Sequence, residues 1–160
     1  MSAPVNLPAV SLDRNVYGFQ TEIRARLSET DAVGIVFFGS FAAYMDVGRM
    51  DYLNHLGLTR HGGPVKDLIP GAVVQQAAQF HSPARYNDIL VLHVRVCHIG
   101  RSSYTFHFLI THKRKRAVVS TGSLTLVWLD ETFKPITIPE SFRKVVREFE
   151  GPHLLEGEIA

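Results

Sequence analysis

A long helical stripe followed by four strand-like segments is the pattern that most constrains this fold. Between Phe41 and Leu56, apolar or small residues recur at steps of three and four, as on one face of a helix. The next four segments are rich in β-branched residues or alternate apolar and polar residues. They span about 71–82, 88–99, 102–113 and 117–129. A helix with an apolar face must bury that face, and a curled antiparallel sheet offers the surface for it. The short connections between the strands favour hairpins, so the pattern predicts an α+β fold and not a parallel βαβ fold.

Local signals set the boundaries of the predicted elements. Residues 19–27 alternate between apolar and polar side chains, which predicts a half-buried strand ahead of the helix. Ser40 is the predicted N-cap of the helix, and Gly57 can take the left-handed conformation that ends it. Gly122 inside the last strand indicates a bulge or a close backbone approach. Residues 139–149 read as a short amphipathic helix.

The length and composition fit one domain. With 160 residues, of which 46% are hydrophobic, the chain can bury a core without a disulfide or a metal. We expect a flexible N-terminal arm over residues 1–15, a single domain over 16–150 and a C-terminal tail over 151–160. Residues 59–70 are predicted to form a loop because they contain glycine and proline breakers.

Several classes of partner and compartment are disfavoured. Cys97 is the only cysteine, so no intrachain disulfide can form, and a cytoplasmic location is expected. The N-terminus has no signal-peptide pattern, and no apolar run is long enough to span a membrane. A net charge of +2 is too small to argue for nucleic acid.

Asp31 stands just before the glycine and aromatic run that leads into the helix. A carboxylate can attack a carbonyl carbon or deprotonate water, and a helix start supplies unpaired amides and a partial positive charge. Such amides suit the negative oxygen that develops on a carbonyl under attack. The structural alternative is an aspartate that only caps a turn.

Four segments of the chain resemble the hotdog-fold thioesterases, in the branch of the 4-hydroxybenzoyl-CoA thioesterase and YbgC. These segments are 30–38, which includes an Asp-x-x-Gly element, together with 44–49, 83–88 and 99–103. The resemblance covers about residues 19–130. It implies a five-stranded antiparallel sheet wrapped around the helix of residues 40–56, and hydrolysis of an acyl-CoA to a free acid and CoA. It also implies homo-oligomers, as dimers or as homotetramers built from two dimers, with sites between subunits.

The same resemblance assigns roles to individual residues. Asp31 is implied as the catalytic nucleophile or general base, and the backbone N–H of Phe38, with Gly39 beside it, as the oxyanion site. The implied substrate-binding residues are Phe37, Phe41 and Tyr44 for the acyl group, and Arg101, Ser102 and Ser103 for CoA. Many YbgC-like relatives have a histidine where this chain has Phe38, so that histidine cannot serve here as a second acid or base.

Other candidates keep two interpretations each. The aromatic run would suit an aromatic acyl group or belong to an ordinary core. Asp46 and Arg49 are spaced to form an ion pair on the helix, although Asp46 could supply a second carboxylate. The basic run 113–116 fits an exposed turn or a phosphate contact. Arg85 precedes a turn and could be a plain surface residue.

The remaining signals argue against other chemistries. No histidine pair has metal-site spacing with a cysteine or carboxylate partner, so no metal is expected. No Rossmann or P-loop glycine pattern is present either, and no cofactor beyond the substrate's own CoA is expected. Cys97 is predicted to be a buried, inert thiol. An acyl carrier protein is the alternative carrier of the acyl group, and a non-catalytic acyl-CoA binder is the alternative of another class. A hotdog dehydratase is disfavoured because no histidine stands at the helix start.

Overall fold

The computed structural model describes residues 7–59 and 71–157. Its helices and longer strands are β1 (Phe19–Arg24), α1 (Ser40–His55), β2 (Ala72–Phe80), β3 (Ile89–Ile99), β4 (Ser103–His112), β5 (Val118–Val127), α2 (Glu140–Glu150) and β6 (Leu155–Glu156). Five strands form an antiparallel sheet in the order β1-β3-β4-β5-β2, and α1 packs on one face of it. The predicted α+β hotdog architecture is therefore confirmed. Most of the predicted loop at 59–70 lies outside the described residues.

Two glycines let α1 approach the sheet closely. A Cβ on Gly48 of the helix would lie 3.1 Å from Val94 Cγ2. A Cβ on Gly122 of β5 would lie 2.6 Å from Met45 Sδ and 2.9 Å from the carbonyl oxygen of Ala77. The register shifts of the sheet fall at other positions. Of the two interpretations of Gly122, the close approach is therefore the correct one.

A buried carboxylate joins α2 to the core. Glu150 Oε1 accepts a hydrogen bond from the hydroxyl of Tyr52 on α1 (2.6 Å) and another from the amide of Val96 on β3 (2.9 Å). Glu150 is only 4% exposed, and this burial raises its pKa above the ordinary value. The second helix, predicted over 139–149 and observed one residue later, is thus anchored at its C-terminal end.

Strand β2 forms one edge of the sheet. It pairs with β5 along one side, and within the described residues no strand pairs with its other side. All but one of its nine residues are exposed, among them Val73, Val74 and Phe80. A long edge strand with exposed apolar residues is an open template for pairing with another chain.

Described parts of the segments predicted as an N-terminal arm and a C-terminal tail are hydrogen-bonded to the rest of the domain. From Gly151 to Glu156 the chain forms a short 3-10 turn and then β6, which pairs in parallel with His98 and Ile99 of β3. It can do so because β1 covers β3 only as far as Val94 and leaves that edge free. At the other end, Arg14 donates a hydrogen bond to the carbonyl of Arg116 (2.6 Å). None of the helices in the described part of the chain is long and apolar enough to cross a membrane.

Because neighbouring strands run antiparallel, the turns between them lie at two opposite ends of the sheet. The loop after β1 is hydrogen-bonded to the segment just before β3, through Ala25 and Asp88 and through Val36 and Ala84. The turn of residues 113–116 lies at this same end, since the Lys113 amide bonds the Ile89 carbonyl. The turn of residues 100–102 follows β3 and therefore lies at the opposite end.

Candidate functional site

The loop between β1 and α1 folds into a tight turn around Asp31. The Asp31 amide donates to the Ile35 carbonyl (2.9 Å), and the Gly34 amide donates to the Asp31 carbonyl (3.0 Å). Carboxylate oxygen Oδ1 accepts a hydrogen bond from the Val33 amide (2.9 Å), and Gly34 takes the left-handed conformation (φ 83°) that the turn requires. Asp31 therefore does cap a turn, as the structural alternative predicts.

Capping leaves half of the Asp31 carboxylate available. Both side-chain hydrogen bonds of this residue go to Oδ1, and within the described residues no group donates to Oδ2. Asp31 is partly exposed and lines a cavity of about 510 Å³. The carboxylate can thus hold the turn with one oxygen and present the other to a ligand.

The start of α1 leaves its free amides in an unexpected place. Ser40 is not the N-cap: it is the first helical residue, and its hydroxyl donates to the carbonyl of Glu29 (3.1 Å). The amides of Ser40 and the next two residues each bond a carbonyl three positions back. The amides of Phe38 and Gly39, just before the helix, have no acceptor among the described residues. Two unpaired donors therefore precede the helix at the positions predicted for the oxyanion site.

Aromatic and apolar side chains dominate the wall of this cavity. Besides Asp31, its main lining residues are Val36, Phe38, Phe41, Phe80 and Pro83. The rings of Phe41 and Phe80 meet edge to face at 5.2 Å. The cavity can accept a flat or branched apolar group next to a carboxylate.

Two predicted acyl-contacting residues are not on the cavity wall. The ring of Phe37 contacts the neighbouring ring of Phe38 at a tilt of 48°, with 4.4 Å between centroids, and Phe37 is 43% exposed. Tyr44 is only 1% exposed, and its hydroxyl donates to Glu29 Oε2 (2.7 Å) beneath the loop. Of the predicted acyl-binding set, only Phe41 lines the cavity.

The predicted CoA-binding residues lie far from Asp31 within one chain. Arg101, Ser102 and Ser103 follow β3, whereas Asp31 lies at the end where β3 begins. At about 3.3 Å per residue, this strand separates the two turns by roughly 35 Å. One subunit does not bring these residues together with the carboxylate.

The sequence interpretation missed the end of β2 as part of the site. Phe80, His81 and Ser82 line the cavity with Asp31, because β2 ends beside the start of α1. His81 Nε2 lies 2.9 Å from Thr121 Oγ1, and the Ser82 hydroxyl donates to a backbone carbonyl. In the sequence, the neighbouring segment 83–88 is marked only by its family resemblance, and no local pattern indicates that this strand end approaches the helix.

The remaining candidates, Asp46, Arg49 and Cys97, have structural roles. Arg49 and Asp46 form an ion pair at 2.5 Å, and neither lines the cavity. Cys97 is fully buried, and burial raises its pKa to about 12, so its thiol is not activated. No group of three or more histidine, cysteine, aspartate or glutamate side chains could hold a metal ion in residues 7–59 and 71–157.

The basic turn 113–116 is exposed at the same end of the sheet as Asp31. Lys113 is paired with Glu22 of β1 at 2.8 Å. The amides of Arg114 and Lys115 both donate to His112 Nδ1 (3.2 Å each), which fixes the backbone of the turn. The turn therefore forms a positively charged surface at the end of the sheet where the cavity lies.

Comparison with known proteins identifies the family. The sequence profile of the thioesterase superfamily matches residues 33–119, more than half of the chain. The chain therefore belongs to the thioesterase superfamily and is a thioester hydrolase.

Individual relatives are distant but cover most of the chain. It is 24% identical over 142 residues to the chloroplastic acyl-acyl carrier protein thioesterase ATL2 of Arabidopsis thaliana, covering 86% of this chain and 72% of that one. It is 23% identical over 132 residues to the acyl-CoA thioester hydrolase YbgC of Escherichia coli, covering 82% and 95%. The crystal structure of Slr0204, a 1,4-dihydroxy-2-naphthoyl-CoA thioesterase from Synechocystis, superposes with a TM-score of 0.73 at 17% identity, covering 84% and 98%.

Proposed function

We propose that this chain hydrolyses acyl-CoA thioesters, with Asp31 acting at the thioester carbonyl and the amides of Phe38 and Gly39 stabilising its oxygen. One observation carries the proposal: Asp31, whose carboxylate oxygen Oδ2 has no partner among the described residues, lines the same cavity as Phe38, and the amides of Phe38 and Gly39 are unpaired. A negative charge that develops on a carbonyl oxygen there would meet donors already fixed in place.

Two routes use this arrangement. In the first, Asp31 attacks the carbonyl carbon, the C–S bond breaks to release the CoA thiolate, and water then hydrolyses the acyl-aspartyl anhydride. In the second, Asp31 removes a proton from water as the water attacks, and the collapse of the tetrahedral intermediate expels the thiolate. Both routes place the same negative oxygen beside the amides of Phe38 and Gly39.

The cavity favours an aromatic acyl group. The rings of Phe38, Phe41 and Phe80 supply faces and edges that a flat acyl ring can contact, which is favourable beyond simple burial. Slr0204, which shares the fold, is named for a bicyclic aromatic acyl-CoA. Asp31 at the rim of this apolar surface would leave the ring buried and the thioester next to the carboxylate.

The CoA-binding role of Arg101 requires a second subunit. Antiparallel pairing of two β2 edges across a twofold axis inverts the partner's sheet. The turn with Arg101 of the partner subunit then lies at the same end of the joint sheet as Asp31 of the first. The exposed apolar edge of β2 supports such a dimer, and the dimer of dimers remains an expectation.

An acyl carrier protein is the second candidate source of the acyl group. The exposed basic turn 113–116 lies at the cavity's end of the sheet, where an acidic partner protein could dock. The relative ATL2 is named for acyl carrier substrates. The same catalytic arrangement would serve either carrier.

A thiol-release assay tests the proposal. Benzoyl-type, short-chain and long-chain acyl-CoAs are compared with the same acyl groups on an acyl carrier protein. We expect the fastest turnover with an aromatic acyl-CoA. Faster turnover on the carrier protein would favour the second candidate. Tight binding of acyl-CoA with no thiol released from either carrier would mean that the chain is a non-catalytic binder.

A further inference from the structure

Glu29 joins the loop that carries Asp31 to the helix that follows it. Its carboxylate oxygen Oε2 accepts hydrogen bonds from the Arg26 amide (2.8 Å) and from the Tyr44 hydroxyl (2.7 Å). Its carbonyl accepts from the Phe37 amide (2.8 Å) and from the Ser40 hydroxyl (3.1 Å). One residue therefore receives four hydrogen bonds, three of them from the helix or the residues leading into it.

These bonds hold both ends of the segment that contains the site. Glu29 precedes Asp31 by two residues, and Phe37, bonded to Glu29, directly precedes the free amide of Phe38. Between these points the turn is closed on itself by the Thr30–Val36 bridge. The contacts of Glu29 with the helix therefore fix the separation between the Asp31 carboxylate and the unpaired amides of Phe38 and Gly39.

We propose that Glu29 and Tyr44 are positioning residues that set the distance between Asp31 and the amides of Phe38 and Gly39; this rests on the proposed function. Neither Glu29 nor Tyr44 lines the cavity, so neither touches the substrate in this arrangement. Tyr44 is almost fully buried beneath the loop, and it can only donate to Glu29 if the loop lies against the helix as observed. Burial is the largest cause of the raised pKa of Tyr44, and the hydrogen bond to Glu29 is the second. The hydroxyl therefore stays protonated and remains a donor.

Tyr44→Phe tests the proposal by removing one hydroxyl and nothing else. Tyr17→Phe is the matched control, because the Tyr17 hydroxyl also makes one part-buried bond, to the Ser11 carbonyl (2.7 Å), away from the cavity. A misplaced catalytic group costs up to about 100-fold in rate, so we expect kcat of Tyr44→Phe to fall about 10- to 100-fold with KM within about twofold. Tyr17→Phe should keep its kcat. Equal kcat values in the two variants would show that the Tyr44 bond is merely structural.

Substitutions at Glu29 supply the conservative rescue. Glu29→Gln keeps a side-chain oxygen that can accept from both the Tyr44 hydroxyl and the Arg26 amide, so kcat should stay within about threefold of the wild type. Glu29→Ala removes that acceptor and should lower kcat as Tyr44→Phe does. A glutamine variant as slow as the alanine variant would overturn the positioning role as stated.

Hydrogen exchange tests the same inference without turnover. In Tyr44→Phe, the hydrogen-bonded amides of Asp31, Gly34, Val36 and Phe37 should exchange at least about tenfold faster than in the wild type, because their opening is no longer opposed by this bond. Exchange elsewhere should be unchanged. Unchanged exchange of these four amides would refute the inference. If the wild type releases no thiol but Tyr44→Phe still shows the faster local exchange, the proposed function is refuted. The contact between Tyr44 and Glu29 would then still be shown to hold the loop.

Discussion

Replacing Asp31 by asparagine separates the two roles that the structure gives this residue. The turn uses only carboxylate oxygen Oδ1, which accepts from the amides of Val33 (2.9 Å) and Ile35 (3.4 Å). Asparagine keeps that acceptor in the same place and puts an NH₂ group where Oδ2 was. The turn should therefore persist, while the nucleophile or base is lost.

The expected loss can be sized from this geometry. Removing a general base or nucleophile typically lowers the rate at least about 100-fold, which corresponds to about 2.7 kcal/mol of transition-state stabilisation. Because the turn is kept, we expect Asp31→Asn to change the free energy of unfolding by less than about 0.5 kcal/mol. Asp31→Ala also removes the side-chain acceptor, and should cost about 1 kcal/mol in stability on top of the same loss of activity.

Asp130 offers a matched control elsewhere in the chain. Its Oδ1 accepts from the amides of Thr132 (2.8 Å) and Lys134 (3.0 Å), and its own amide donates to the Lys134 carbonyl. This is the same turn with the same spacing, but Asp130 does not line the cavity. Thiol release by Asp130→Asn should match that of the wild type. If Asp31→Asn also turns over within about threefold of the wild type, its carboxylate is a turn cap alone and the proposed mechanism is wrong.

Three further predictions address assembly, packing and pH. If the partner subunit supplies Arg101, mixing the separately inactive Asp31→Asn and Arg101→Ala subunits should restore about a quarter of wild-type activity, since half of the dimers are mixed and each has one intact site. No recovery would show that Arg101 of the partner subunit does not contribute to the site of Asp31. Gly122→Ala should lower the free energy of unfolding by about 1–3 kcal/mol, because its Cβ would lie 2.9 Å from the backbone carbonyl oxygen of Ala77 as well as 2.6 Å from Met45 Sδ, and urea denaturation measures this. The raised pKa of Glu150 means that the folded state holds this proton more tightly, so stability relative to Glu150→Gln should fall as pH rises from 4.5 through the raised pKa, by up to about 1.4 kcal/mol per pH unit. A pH-independent difference between the two proteins would show that Glu150 ionises normally.

The fold was predictable because its signals are local and periodic. The helix stripe around Met45 and the alternation in β4 each follow from side-chain spacing, and the observed elements begin and end within a few residues of the predicted ones. The errors arose where the deciding contact was distant in sequence. Residues 151–157 have no strand pattern of their own, and β6 forms because β1 leaves part of the edge of β3 uncovered. Ser40 has the side chain of an N-cap, but the Glu29 carbonyl takes its hydroxyl instead.

The residues of the candidate site likewise fall into those that local sequence indicates and those that depend on distant contacts. Asp31, Phe38 and Gly39 are close in sequence, and the turn between them is short, so a local pattern could indicate them together. The contribution of Phe80 depends on where β2 ends relative to α1, and no local spacing encodes that relation. Arg101 is separated from Asp31 because the two residues lie at opposite ends of β3. The predicted order of hairpins already implies this separation. A role for Arg101 beside Asp31 therefore depends on an assembly.

The two equivalent aspartate turns show what a local motif can and cannot determine. Asp31 and Asp130 have the same turn geometry, yet of the two only Asp31 lines the aromatic cavity and precedes two unpaired amides. At Asp130 the amide of Lys134 and the hydroxyl of Thr132 stabilise the charged carboxylate and lower its pKa, and Asp130 does not line the aromatic cavity. The capacity for thioester chemistry therefore comes from the surroundings that α1 and the end of β2 supply, and the aspartate turn by itself is only a scaffold. For this reason the comparison of Asp31→Asn with Asp130→Asn is a stronger test than the loss of activity in either variant alone.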